Sequence, residues 1–220
     1  MSITTYAELQ TAVGAWLNRS DLSTQIPDFI DLAEARINRL LRTRGTEQLS
    51  ETPYGPTDTT RRVGLHPRFK ELLVLSLKGL GEADDQYRTL TYKDPESFVD
   101  YRRTGSGEPE CYTVRDEIEL DVLAGAEYIL RKHFLKGLDI ATDLTNVVLT
   151  RYPDVYLYGS LAAAEPYIKN EKRVELWKSL FEEAIREANT FDDRTRDQTE
   201  MVPDPLAAGI GGWDILRDRW

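Results

Sequence analysis

The chain is poor in the residues that most often carry chemistry. Among its 220 residues there is one cysteine, Cys111, and there are two histidines, His66 and His133. A single thiol forms no intrachain disulfide, which fits a reducing compartment. Two imidazoles far apart in sequence, with no cysteine cluster beside them, leave no zinc site of the usual ligand spacing. His66 precedes a proline at a strand end and His133 lies in a run with aromatics, so both read as structural. There is no GxGxxG or Walker loop, and Gly209 to Gly212 neither follows a strand nor opens a long helix. GxSxG and Cys–His arrangements are missing too, which removes the usual parts of nucleophilic catalysis. No apolar run approaches the roughly 20 residues that a membrane-spanning helix requires. The opening MSITTYAELQ has neither a basic nor an apolar segment, so no secretory signal is expected.

Basic charge is also in deficit. Lys and Arg number 28 against 38 Asp and Glu, for a net charge of −10 and a pI near 4.8. Phosphate neutralisation needs clustered Lys and Arg, so this balance argues against a general DNA-binding surface. The acidic groups do not assemble into chemistry either. Glu182-Glu183 lies on a charged helical face with Glu182 and Arg186 at i,i+4. The loop Gly79 to Asp85 lacks the alternating ligands and central glycine of an EF-hand and reads as a solvated hairpin loop. A carboxylate-dependent hydrolase has no motif behind it. No catalytic residue, cofactor site or metal site is assigned.

What the chain does have is periodicity. From Val147 to Phe191 it reads as two helices joined by a turn near Lys169-Asn170-Glu171. In the second, Val174, Trp177, Phe181, Ala184, Ala188 and Phe191 recur at steps of three and four, widened by Leu180 and Ile185. In the first, Leu157, Leu161, Ala164 and Ile168 form a stripe, and Ala162 to Ala164 permit close approach of a neighbour. Leu157, Leu161, Trp177, Phe181 and Ala184 are the expected core of this helical frame. Pro166 predicts a kink or an end, because it removes a backbone donor and crowds the carbonyl of Ala162.

At the other end, Thr5 and Glu8 match a capping box, followed by the stripe Tyr6, Leu9, Val13, Trp16 and Leu17. Asn18 to Ser23 reads as a loop. A second helix is expected to begin near Pro27, with Ile30, Ala33, Ile37, Leu40 and Leu41 inward. Its Asp28, Asp31 and Glu34 come early and its Arg36, Arg39, Arg42 and Arg44 come late, an order that complements the helix dipole. The spacing of Arg36, Arg39 and Arg42 also allows a phosphate-binding ladder.

Between the helical ends the texture turns to short β runs. A loop is expected at Pro53, Gly55 and Pro56, then strands at Thr59–Leu65, Leu72–Leu77 and Tyr87–Tyr92. Asp94-Pro95-Glu96 opens a short helix carrying Phe98, Val99 and Tyr101. An antiparallel meander is expected through Tyr112–Val114, Ile118–Val122 and Glu127–Phe134, and Leu138 to Thr145 is a transition.

The predicted fold class is therefore α+β: a small helical bundle of two N-terminal and two C-terminal helices, an inserted antiparallel β lobe and an extended C-terminal arm. The expected boundaries are 1–45 and 138–197 for the bundle, 46–137 for the lobe and 198–220 for the arm. The arm ends in WDILRDRW, and Trp213, Ile215, Leu216 and Trp220 have the spacing of a helical anchor. They either fold back on the chain's own surface or dock on another subunit or partner.

The stretch TRYPDVYLYGSLAAAEPYIKNEKRVELWKSLFEEAIREAN, Thr150 to Asn189, resembles the C-terminal signature of tailed-phage head-to-tail connector (adaptor) proteins. YAELQTAVGAWLNRSDLSTQIPDFIDLAEARINRLLR, Tyr6 to Arg42, is similar to the opening of the same family. Together the two segments cover about a third of the chain. The resemblance implies a non-enzymatic virion protein with no cofactor, found at the head–tail interface and, during assembly, in the host cytoplasm. It implies a ring homo-oligomer, a dodecamer, bound to the portal protein and to a downstream tail or stopper/nozzle protein. Genomic DNA would pass through the lumen without specific binding, and no membrane is involved. The alternative is a nucleic-acid-binding module using Arg36, Arg39, Arg42, Arg61 and Arg62.

Overall fold

The computed structural model of the chain describes residues 3–168 and 171–200, the side chains of 171–172 and 194–200 excepted. The expected turn at Lys169-Asn170 and the anchor residues Trp213, Ile215, Leu216 and Trp220 lie outside the described residues. In chain order the elements are helices α1 (Tyr6–Leu17) and α2 (Ile26–Leu40), then strands β1 (Glu47–Tyr54), β2 (Arg62–Val63), β3 (Phe69–Gly79), β4 (Arg88–Thr89) and β5 (Thr91–Tyr92). After α3 (Phe98–Tyr101) come β6 (Ser106–Gly107), β7 (Cys111–Val114), β8 (Ile118–Leu120), β9 (Leu123–Ala124) and β10 (Tyr128–Lys136). Helices α4 (Ile140–Asp143), α5 (Val147–Arg151), α6 (Pro153–Ile168) and α7 (Glu171–Glu200) follow. The fold is mixed α+β.

Two compact units divide it. One holds residues 3–12 and 44–153, and the other holds the described residues of 13–43 and 154–200.

In the first unit, α1 begins at the capping box. The Thr5 N–H donates to Glu8 Oε2 at 3.0 Å, and the Glu8 N–H donates to Thr5 Oγ1 at 3.3 Å. The bonds from Thr4 and Thr5 hold the Glu8 carboxyl below its ordinary pKa. The strands form two four-stranded sheets, ordered β1-β10-β3-β4 and β2-β8-β7-β5, and a β6-β9 pair. Leu75, Leu77 and Leu130 from the first sheet share one core with Val63, Tyr112, Ile118 and Leu120 from the second. Leu75, Leu77, Leu130, Ile118 and Leu120 are wholly buried, worth about 2 kcal/mol apiece. Tyr54 joins this core and donates its hydroxyl to the Val122 carbonyl at 2.9 Å, and burial pushes its pKa up to about 12.

The lobe departs from the expected meander. Residues Glu47–Tyr54, including Pro53, form a strand and not a loop. β1 is an edge strand, where a proline without an N–H is tolerated. β10 pairs with β1 and β3 and not with β8, and β5–β7 and β6–β9 are parallel. β2 shrinks to two residues, whereas β3 runs through eleven with a register shift against His133/Phe134.

The second unit is helical, and α6 is its centre. Val155, Tyr156, Leu157, Gly159, Ser160, Leu161, Ala162, Ala164 and Glu165 are all buried, so α6 is covered on most of its surface and not along one stripe. α2 buries Phe29, Ile30, Ala33 and Ile37, and α7 buries Phe181, Ala184, Ile185 and Ala188. A Cβ at Gly159 would stand 3.0 Å from Phe181 Cε2 and 3.1 Å from Ala33 Cβ. The missing side chain is what lets three helices close on one point.

Three helix boundaries differ from expectation. The stretch after Val147 is two helices, because Pro153 excludes the α region at the preceding residue; Tyr152 has φ −133° and ψ 60°. α6 runs through Pro166 to Ile168, and the proline removes one backbone donor, the partner of the Ala162 carbonyl, without ending the helix at that point. α7 passes Phe191 and reaches Glu200, as no Gly or Pro intervenes before Pro203. Phe191 is 62% exposed and Asp192 is buried, because the inward column drifts onto Phe181, Ile185, Ala188 and Asp192.

Gly159→Val is expected to lower unfolding free energy by about 2 kcal/mol through overpacking against Phe181 and Ala33, read as a fall in the urea midpoint. An unchanged midpoint would show spare room at the crossing.

Candidate functional site

The helical unit carries buried polar ties that fix its helices in register. The Tyr156 hydroxyl donates to Glu34 Oε1 at 2.6 Å, and the Trp177 indole N–H donates to Glu165 Oε1 at 3.0 Å. Glu34 and Glu165 are 7% and 2% exposed. A net contribution of about 1 kcal/mol is typical of such a hydrogen bond, and losing the donor costs more where the acceptor is buried. Asn189 on α7 closes the end of α2, accepting from the Arg42 N–H at 3.0 Å and donating to the Leu40 carbonyl at 3.1 Å. Leu157, Leu161, Phe181 and Ala184 are buried, and Trp177 is half-buried beside the rings of Trp16 and Tyr158 at 5.7 and 6.1 Å.

The outer faces of this unit are charged. Arg36, Arg39 and Arg42 are exposed on α2, and so are Asp28 and Asp31. On α7 the exposed groups include Arg173, Glu175, Lys178, Glu182, Glu183, Arg186 and Glu187. Lys178 approaches Glu182 at 3.9 Å, an exposed i,i+4 pair of small worth.

In the β unit the main polar cluster is structural in kind. Asp121, 1% exposed, receives Arg103 Nε at 2.7 Å on one oxygen. Its other oxygen accepts the Glu110 N–H at 3.1 Å and the Cys111 N–H at 3.4 Å. Arg103 also donates to the Glu108 carbonyl at 2.6 Å, tying the loop before β7 to β8's end. Burial raises the Cys111 thiol pKa. Lys132 is buried and donates to the Gly64 carbonyl at 3.0 Å, and burial holds its pKa below the usual lysine value. Arg61 and Arg62 belong to this unit, with Arg62 3.9 Å from Glu117 beside a polar groove lined by Arg115, Asp116 and Glu119. His66 Nδ1 accepts the Arg68 N–H at 3.0 Å, and His133 Nε2 lies 2.9 Å from Glu47. Among the described residues no three His, Cys, Asp or Glu side chains are grouped to hold a metal, and no helix is long and apolar enough to cross a membrane.

A core of interlocked helices, a stapled β unit and charged outer faces suit a protein that works by contact. A family model described as SU10 adaptor protein matches residues 4–207. The chain belongs to this family of phage head-to-tail adaptors. No curated protein matches it. The family is one of structural phage proteins and not of enzymes, associated in general with portal and tail proteins and with the virion. The match takes in the whole β unit, beyond the two helical segments that carry the sequence resemblance.

Sequence reasoning missed the adaptor's buried carboxylates. Glu34 sits between Ile30 and Ile37 at helical spacing, and Glu165 follows Ala164. An acid on an apolar stripe was the available signal. Asp121 had a similar one, standing between Leu120 and Val122. Asp121→Ala is expected to destabilise the fold by about 2–4 kcal/mol, more than Arg103→Ala, because it removes the acceptor of two backbone N–H groups as well as one partner of Arg103. Chemical denaturation of both variants checks the order, and a larger loss for Arg103→Ala would contradict it.

Proposed function

We propose that the chain is the repeating subunit of a ring, a dodecamer, that docks beneath the portal protein and extends the DNA channel. The ring presents the attachment platform for a downstream tail or stopper/nozzle protein. The observation that carries this reading is the adaptor-family match across residues 4–207. The helical unit supports it, since Gly159 and the Tyr156–Glu34 and Trp177–Glu165 bonds make a rigid frame that resists deformation in a ring. The net charge of −10 supports passage of DNA through the lumen without specific binding, because an acidic wall repels the phosphate backbone. Subunits are made and assembled in the host cytoplasm before they join the virion.

In this reading Trp213, Ile215, Leu216 and Trp220 anchor the C-terminal arm on a neighbouring subunit or on the portal. A nucleic-acid-binding module using Arg36, Arg39, Arg42, Arg61 and Arg62 would instead show DNA affinity falling steeply with salt.

Electron microscopy and native mass spectrometry of the purified chain, alone and with portal, test the ring. Closed rings or portal-bound rings are expected, and monomers in both samples would overturn the proposal. A chain lacking Gly209 to Trp220 is expected to keep its far-UV circular dichroism and to assemble more weakly. Unchanged ring and portal binding by that truncation would remove the anchor role.

A further inference from the structure

Two helices of the helical unit carry complementary columns of exposed side chains that make no ion pair among the described residues. On α2, Asp28, Leu32 and Arg39 follow one another at steps of four and seven along the exposed face, with Arg36 beside them. On α7, Arg173, Leu176 and Glu183 follow at steps of three and seven, with Glu187 one turn on. Leu32 is 58% exposed and Leu176 is 53% exposed. Laid parallel, the acid–leucine–base order of α2 meets the base–leucine–acid order of α7 over about 16 Å at 1.5 Å per residue.

The charges within each column repel. Arg36 and Arg39 stand at i,i+3, and Glu183 and Glu187 at i,i+4, spacings at which like side chains are neighbours. None of these four makes an ion pair among the described residues. Each column therefore gains from an opposite charge supplied from outside, and the other column has the right sign, spacing and central leucine. We propose that α2 of one copy docks in parallel on α7 of a neighbouring copy, with Asp28 toward Arg173, Leu32 on Leu176, and Arg36 and Arg39 toward Glu183 and Glu187.

The two surfaces differ, so the contact is heterologous and repeats around a closed ring. The inference rests on the ring reading and names its subunit contact. A twofold pairing of α2 with α2 would neutralise Asp28 but leave Glu183 and Glu187 facing one another without a cation. Phosphate binding would bring the DNA backbone against Asp28 and Asp31 and leave both leucines unused.

Charge exchange tests it. Arg36→Glu/Arg39→Glu and Glu183→Arg/Glu187→Arg are each expected to raise the protein concentration needed for assembly by about tenfold or more, read by sedimentation velocity at low salt. Mixing the two variants restores assembly, because each reversed face then finds its complement on the other. The chain carrying all four substitutions assembles for the same reason. Circular dichroism of each variant, and the recovery on mixing, separate loss of the contact from loss of the fold. Rings that survive either double substitution, or failure of the mixture and of the four-fold variant to recover, would overturn the contact and leave the ring standing. A wild-type chain that stays monomeric, or stops at a twofold dimer, would overturn ring and contact together. DNA binding with a steep salt slope that vanishes in Arg36→Glu/Arg39→Glu, with rings intact, would assign the arginines to phosphate instead.

Discussion

A close approach in the helical unit is made possible by an absent side chain. At Gly159 the backbone of α6 comes within van der Waals reach of both Phe181 and Ala33, so α2 and α7 are held against the same turn. The polar ties between the three helices span the same narrow separation. With α6 this near, Tyr156 reaches Glu34, Trp177 reaches Glu165, and Asn189 meets the last carbonyl of α2. A wider separation would break both of these bonds to buried side chains, and a buried polar group that loses a partner costs more than an exposed one. Glycine in a helix interior carries an entropic penalty relative to alanine of about 1 kcal/mol. Close packing offsets it.

The β unit reaches rigidity by another route. Outside the β1-β10-β3 ladder its strands are short, and several pairings involve only two residues. Such pairs contribute little by themselves, so order comes from the shared core of Leu75, Leu77, Leu130, Ile118 and Leu120 and from Asp121. Asp121 replaces missing ladder bonds with contacts to Arg103 and to two backbone N–H groups. Both kinds of stiffness suit a structural phage adaptor. The buried side chains of Glu34, Glu165 and Asp121 are held in structural hydrogen bonds.

Legibility followed the range of the interactions. The capping box at Thr5 and Glu8 was readable because it closes over three residues, and so were the start of α2 at Pro27 and most of the periodic faces of α2 and α7, although Leu40, expected inward, is 48% exposed at the end of α2. β1 was not readable. Its residues are mostly polar and include Pro53, and only the pairing with β10, about 80 residues away, makes them a strand. The parallel β5–β7 and β6–β9 pairs were hidden for the same reason, since a two-residue strand has no pattern of its own. The exposed position of Phe191 was lost to helix geometry, because steps of three and four describe a stripe only until its drift is counted.

The sequence by itself determined the α+β class, the helical ends, the adaptor resemblance and the sorted charges of α2. These rest on composition, local capping and periodicity, which are complete within one element. Only the tertiary structure decided which faces remain outside and which carboxylates go in. Glu34 and Glu165 stand among apolar neighbours in the sequence, but only the fold brings Tyr156 and Trp177 to them. Arg39 and Glu183 look like ordinary solvated charges until their helices are turned so that neither has a counter-ion among the described residues. A charge is defined by its residue type, but its cost or use is set by the dielectric and the partners around it, and those come from the fold.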